Sequence, residues 1–214
     1  MLLLAALILQ SLFLPRMFIF LQSSLWHTIE QWDQWLFTLV NSKTANPFFD
    51  SLMPFMRTGL NWVPLYLFLA VFVLLNFKGK GAWWMLFFIC TVALTDMGGK
   101  MFKEYFGRER PCGDMDFSMH VRLLVNCVSH GNSFISNHAA NHFGMATFFF
   151  ITFRSFLKKW AWIGFAWATL IIYAQVYVGI HYPLDVLAGA LFGILTGLLT
   201  GKLFNKRYQF AIFD

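Results

Sequence analysis

Long apolar runs alternate with short polar joints along this chain. Uncharged stretches cover Trp62–Phe77, Gly81–Thr95, Ala139–Phe153, Trp160–Ile180 and Val186–Gly201. A spanning helix needs roughly 20 mostly apolar residues, so the shorter runs are expected to extend into their polar flanks. Residues 1–22 form a sixth apolar stretch, interrupted by Pro15 and Arg16. It lacks a basic leading region and a small-residue cleavage site, which favours a first membrane helix, or a start misplaced upstream of Met17, over a signal peptide. Between it and the next run, Trp26, Ile29, Trp32, Leu36 and Val40 recur at near-helical spacing. That spacing predicts an amphipathic helix lying in the membrane interface. The expected fold is therefore all-α, a polytopic membrane bundle of about six transmembrane helices.

Composition agrees with that pattern. Of 214 residues, 58% are hydrophobic and only 12% charged, against about 25% charged in soluble domains. No linker, low-complexity tract or internal repeat divides the chain. A single membrane-embedded domain over 1–214 is expected, with its motif-bearing core at 62–203.

The net charge of +6 does not suggest nucleic acid, because the basic residues sit in joints rather than on one face. Lys78 and Lys80, then Arg154, Lys158 and Lys159, then Lys202, Lys206 and Arg207 follow alternate runs. If every run crosses the membrane, these joints share one side, and the positive-inside rule makes it cytoplasmic. The other side holds Lys100, Lys103, Arg108, Arg110 and Arg122, against that rule. Such an excess of cations calls for a functional reason.

Three polar clusters fall on that outer side, each at the mouth of an apolar run, where ionisable groups are costly. In the first, Lys103 and Arg110 are seven residues apart and would share a face of a continuous helix. Together they suit a phosphate, or else snorkel to lipid headgroups. In the second, Ser136-Asn137-His138 precedes a run and would cap a helix whose N–H groups face an anion. In the third, His181 and Asp185 are four apart, and on one helical face Asp185 would orient a nucleophilic or basic imidazole. The following Gly189, Gly193, Gly197 and Gly201 form a small-residue stripe for close helix packing. His138 and His142, with Cys112, Cys127, His120 and His130, raise the question of zinc. No metal-binding spacing is present, so no metal and no cofactor are expected. Cys112 and Cys127 are expected to form a disulfide in an oxidising compartment, and Cys90 to be a packing residue.

In this order and spacing, the clusters resemble the type 2 phosphatidic acid phosphatase superfamily of lipid phosphate phosphatases. Its pattern runs K-x6-R-P, then P-S-G-H, then S-R-x5-H-x3-D. Lys103, Arg110 and Pro111 match the first part. Ser136 and His138 match the second, with Ile135 and Asn137 in place of Pro and Gly. His181 and Asp185 match the third, with Ala174 and Gln175 where the family has Ser-Arg.

The resemblance implies that His181 attacks phosphorus to give a phosphohistidine, held by Asp185. His138 would protonate the leaving oxygen and then activate water. Lys103, Arg110, Ser136, Asn137 and Gln175 would surround the phosphate. Undecaprenyl pyrophosphate, phosphatidylglycerol phosphate or lipid A phosphate would be the substrate, met on the periplasmic face of a bacterial inner membrane, with no nucleic-acid partner. Undecaprenyl pyrophosphate leads slightly on these grounds. A lipid phosphotransferase using the same histidine, or a weakened lipid-binding protein, are the other functions. A soluble haloperoxidase with a similar pattern is excluded by the apolar runs. Gln175 removes a cation that the family supplies, and Arg108, Lys100 and Arg122 are the candidates to replace it. Arg108 has an alternative partner in Glu104, and Lys100 in Asp96 or Glu104, at helical spacing.

Overall fold

The computed structural model describes residues 25–127 and 131–210. The expected first span at 1–22, and His130 of the zinc question, lie outside them. The chain divides after Leu36 into two compact units. Residues 25–38 form helix α1, and Leu25, Trp26, Ile29, Trp32 and Trp35 on it are exposed. A π-turn over Leu39–Lys43 follows.

The remaining helices are α2 (Pro47–Arg57), α3 (Val63–Phe106), α4 (Asn137–Leu157), α5 (Ile163–Tyr177) and α6 (Pro183–Tyr208). Three helical stretches, Gly59–Phe106, Asn137–Tyr177 and Pro183–Tyr208, are long and apolar enough to cross a membrane. At 1.5 Å per residue the first would be more than twice as long as the roughly 30 Å hydrocarbon layer is thick. Reversals resolve this. Lys78 breaks α3 at φ 49°, and Lys158 ends α4 at φ 49°. Past each lysine the chain turns back. A Cβ on Gly81 would meet Val73 O across the first reversal, and Phe150 lies 5.7 Å from Phe165 across the second. The five apolar runs that begin at residue 62 thus become five helical limbs.

The basic joints gather at one end. Phe77 packs on Phe156 at 5.9 Å and on Phe210 at 3.8 Å, and Lys80 Nζ donates to Gln209 O at 2.9 Å. Helices α4 and α6 form the central pair, each also packed on α3. Half of the most apolar stretch of α6 is buried, against 6% for that of Gly59–Phe106, which the other described residues leave largely uncovered. Cys90 is exposed on α3, which corrects its reading as a packing residue: no helix among the described residues covers that face.

The glycine stripe explains the centre. A Cβ on Gly189 would meet Ser136 O, one on Gly193 would meet Ala140 O, and one on Gly197 would meet Gly144 O. Without side chains the backbones of α6 and α4 touch, which gains dispersion contacts in a solvent that offers no hydrophobic drive. This contact holds the start of α4 beside the start of α6 and so joins two of the three polar clusters. Ser136 N donates to Asp185 O at 3.0 Å across the junction.

Candidate active site

At the end opposite the basic joints, the helix mouths and the 107–136 loop bring the three clusters together. Each arrives by a local device. Helix α3 stops at Phe106 because Gly107 takes the left-handed conformation (φ 60°) and donates to Lys103 O, a glycine C-cap. Lys103 and Arg110 therefore do not share a helical face as the spacing suggested. The chain turns at Gly107 and folds back, and the two cations converge through the loop. Lys103 Nζ donates to Asn132 O (3.2 Å) and Ser133 O (3.0 Å), while Arg110 Nε donates to Gly131 O (3.2 Å). Neither has a carboxylate ion-pair partner among the described residues. Burial pushes the Arg110 guanidinium below its usual value, with Asp185 opposing.

His181 and Asp185 likewise meet without a shared helix. Helix α6 begins at Pro183, and Asp185 sits at its third position in a capping box with Tyr182. Tyr182 N donates to Asp185 Oδ2 at 2.9 Å. Gly179 (φ 92°) turns the chain just before, where a Cβ would meet Arg122 O. His181 thus lies in the turn, its Nδ1 3.5 Å from Asp185 Oδ2. Both side chains are buried.

The contact between them is completed by Ser133, which the sequence pattern did not single out. Its hydroxyl lies 3.2 Å from His181 Nδ1 and donates to Asp185 Oδ2. Arg108 closes the other side, Nη1 to Asp185 Oδ1 at 2.8 Å, with its guanidinium 4.3 Å from the Tyr182 ring. The alternative pairing of Arg108 with Glu104 is not formed, because α3 has already ended. Burial pushes the His181 imidazole down to about 4, with Asp185 opposing. At neutral pH the ring is uncharged. Its Nδ1 is engaged, which leaves the Nε2 lone pair for chemistry.

Ser136 caps α4, its hydroxyl accepting from Ala139 N at 3.5 Å. The amide of Asn137 turns onto Asp96 Oδ1 (2.9 Å), beside the Lys100–Asp96 ion pair at 2.7 Å. His138 lines a cavity of about 510 Å³ shared with Gly59, Tyr66, Trp84, Asp96 and His142. His142 sits one turn below, its Nδ1 2.7 Å from His138 O. Gln175 is fully buried, and neither amide atom has a partner.

Cys112 and Cys127 are joined in a disulfide, which ties down the loop just beyond Arg110. No group of three or more potential metal ligands is present among the described residues.

The PAP2 superfamily model matches residues 81–209. The chain belongs to the PAP2 superfamily. It is 34% identical over 153 residues to a lipid A 4'-phosphatase of Bacteroides thetaiotaomicron, covering 68% of this chain and 65% of that one. The chain thus spans 65% of the length of the curated relatives it matches. The crystal structure of LpxE from Aquifex aeolicus superposes with a TM-score of 0.60 at 30% identity, over 78% of this chain and 93% of that one. The first transmembrane PAP2 type phosphatidylglycerolphosphate phosphatase from Bacillus subtilis shares the fold, with a TM-score of 0.66 at 22% identity, over 86% and 90% of the two chains. With its apolar helices, this PAP2 chain is a membrane protein.

Proposed function

We propose that this chain is a metal-independent lipid phosphatase working through a phosphohistidine at His181, with its site on the periplasmic face of a bacterial inner membrane. One observation carries the reading: a buried neutral imidazole has Nδ1 fixed by Ser133 and Asp185, beside two cations, Lys103 and Arg110, that lack carboxylate partners among the described residues. Such cations suit a bound phosphate.

His181 Nε2 attacks phosphorus, and the bond to the leaving lipid oxygen breaks. His138 gives that oxygen a proton, leaving the lipid alcohol and an N–P bond on His181. A water then gives its proton to His138 as its oxygen attacks phosphorus. The N–P bond breaks, and inorganic phosphate leaves. Asp185, paired with Arg108, stabilises the positive charge that the ring gains during the first step. Phosphate stabilisation falls to fixed cations, the task that metal ions perform in other phosphoryl transfers.

Similarity to a lipid A 4'-phosphatase favours a lipid A phosphate over undecaprenyl pyrophosphate. The cavity below His138, bordered by both limbs of α3 and by α4, has apolar walls suited to a lipid. The gathering of the basic joints at the opposite end supports a periplasmic site by the positive-inside rule.

The test is phosphate release from lipid A by the detergent-purified protein in EDTA, beside His181→Ala. Release by the parent protein alone supports the reading. No release from lipid A, undecaprenyl pyrophosphate or phosphatidylglycerol phosphate would overturn it. Transfer of the phosphoryl group to an added lipid in preference to water would make the protein a phosphotransferase.

A further inference from the structure

The family pattern places an arginine at position 175, and its replacement by glutamine leaves the site one cation short. The three cations suggested by sequence as substitutes are all engaged elsewhere. Lys100 pairs with Asp96 at 2.7 Å, Arg108 with Asp185 at 2.8 Å, and Arg122 with Asp50 at 2.7 Å. A neutral amide in their absence would leave the equatorial phosphate oxygens with only Lys103 and Arg110.

A different arginine stands nearby. Arg57 ends α2, a helix whose Met53 and Met56 pack on Ile171 and Ala174 of α5, the helix that carries Gln175. The corner that follows turns the chain toward the site. Trp62 Nε1 donates to Met56 O at 2.8 Å, and Trp62 packs on Trp167, which lies 4.9 Å from His142. Gly59, two residues after Arg57, lines the same cavity as His138.

The guanidinium of Arg57 is half-buried, and its Nε is buried without a hydrogen-bond partner. It has no ion pair among the described residues. Its charge is felt at Arg110 and at His138. A half-buried cation repelled by Arg110, with no anion among the described residues to offset it, is costly to the empty protein. An anion between them removes that cost.

We propose that Arg57 is a substrate-phosphate ligand, supplying from α2 the third cation that the family supplies at the position of Gln175. The proposal rests on the reading of this site as a phosphate site. It makes the charge set Arg57, Lys103 and Arg110, gathered from three separate segments. Arginine suits the place because its planar fork can hold two phosphate oxygens at once.

Protection mapping of the full-length protein in detergent tests this without relying on turnover. The protein is treated with phenylglyoxal, which modifies arginines, with and without orthovanadate, and the modified sites are located by mass spectrometry. The expected result is that orthovanadate protects Arg57 and Arg110 together, while Arg154 is unaffected. Protection of Arg110 with Arg57 modified as before would overturn the role of Arg57 and leave the phosphate site standing. Protection of neither would overturn both. In the activity arm, Arg57→Gln is expected to lower kcat/KM by about 100-fold or more, Arg57→Lys by less, and Gln175→Arg to restore part of the loss in the Arg57→Gln background. An Arg57→Gln protein that folds and turns over at the parental rate would overturn the proposal.

Discussion

Arg108 and Asp185 form an ion pair at 2.8 Å in which the carboxylate is fully buried, and that pair links the loop after α3 to the first turn of α6. It uses Asp185 Oδ1, while His181 and Ser133 meet Oδ2. Removing the arginine would leave the Asp185 carboxylate uncompensated, and breaking such pairs typically costs about 3–5 kcal/mol. Arg108→Gln is therefore expected to lower the thermal unfolding temperature and to reduce kcat more than it raises KM. Unfolding scans and steady-state kinetics on the same preparation check both effects.

Ser133 bridges the two members of the His181–Asp185 pair from one side. Ser133→Ala removes a hydroxyl that contacts both His181 Nδ1 and Asp185 Oδ2, and buried hydrogen-bond partners left unpaired cost about 1–3 kcal/mol. Expected are a folded protein and a kcat lowered about 10- to 100-fold, measured by phosphate release.

The pH dependence follows from the direction of the His181 shift. The imidazole is held down to about 4 by burial, below its unfolded value of about 6.5. Its neutral, nucleophilic form persists in the folded protein until pH falls to about 4. Between about 6.5 and about 4 the unfolded chain binds the proton first. His181 therefore makes stability fall as pH drops through that window. Denaturant unfolding at pH 7 and pH 5 should show that loss, and His181→Gln should diminish it.

The α4–α6 contact leaves no space at Gly193, where a Cβ would meet Ala140 O and Gly144 N. Gly193→Ala is expected to cost about 1–3 kcal/mol through overpacking. Gly79, with open space around its Cβ position, is the control. Thermal unfolding of Gly193→Ala and Gly79→Ala should separate clearly.

The disulfide closes a span of 15 residues, a length for which the chain-entropy model gives about 3 kcal/mol. Reduction, or Cys112→Ser with Cys127→Ser, is expected to lower stability by that order. Phosphate release should fall as well, because Arg110 lies two residues before Cys112. Unfolding and activity measured with and without reductant check this.

Much of the fold was legible in the chain. The lysine joints marked the reversals at Lys78 and Lys158, and the four glycines marked the face on which α6 meets α4. The site was legible as a set of residue types, but not in the geometry that joins them. Helical spacing suggested shared faces for Lys103 with Arg110 and for His181 with Asp185. Gly107 and Pro183 place a helix boundary inside each interval, and the residues meet through turns instead. Ser133 and Arg57 escaped the sequence reading, and Arg108 was named there as a substitute phosphate cation rather than as the partner of Asp185, because these contacts are tertiary. Ser133 reaches a residue 48 positions away, and Arg108 one 77 positions away. No local periodicity marks such pairs.

The central claim is a covalent bond between His181 and phosphorus. Protein mixed with a lipid A phosphate, quenched in alkali within the first turnovers and digested for mass spectrometry, tests it most directly. A phosphoryl group on the peptide containing His181, lost in His181→Ala together with phosphate release, is the predicted result. Phosphate release that continues in His181→Ala, with no phosphorylated peptide in the parent protein, would contradict it.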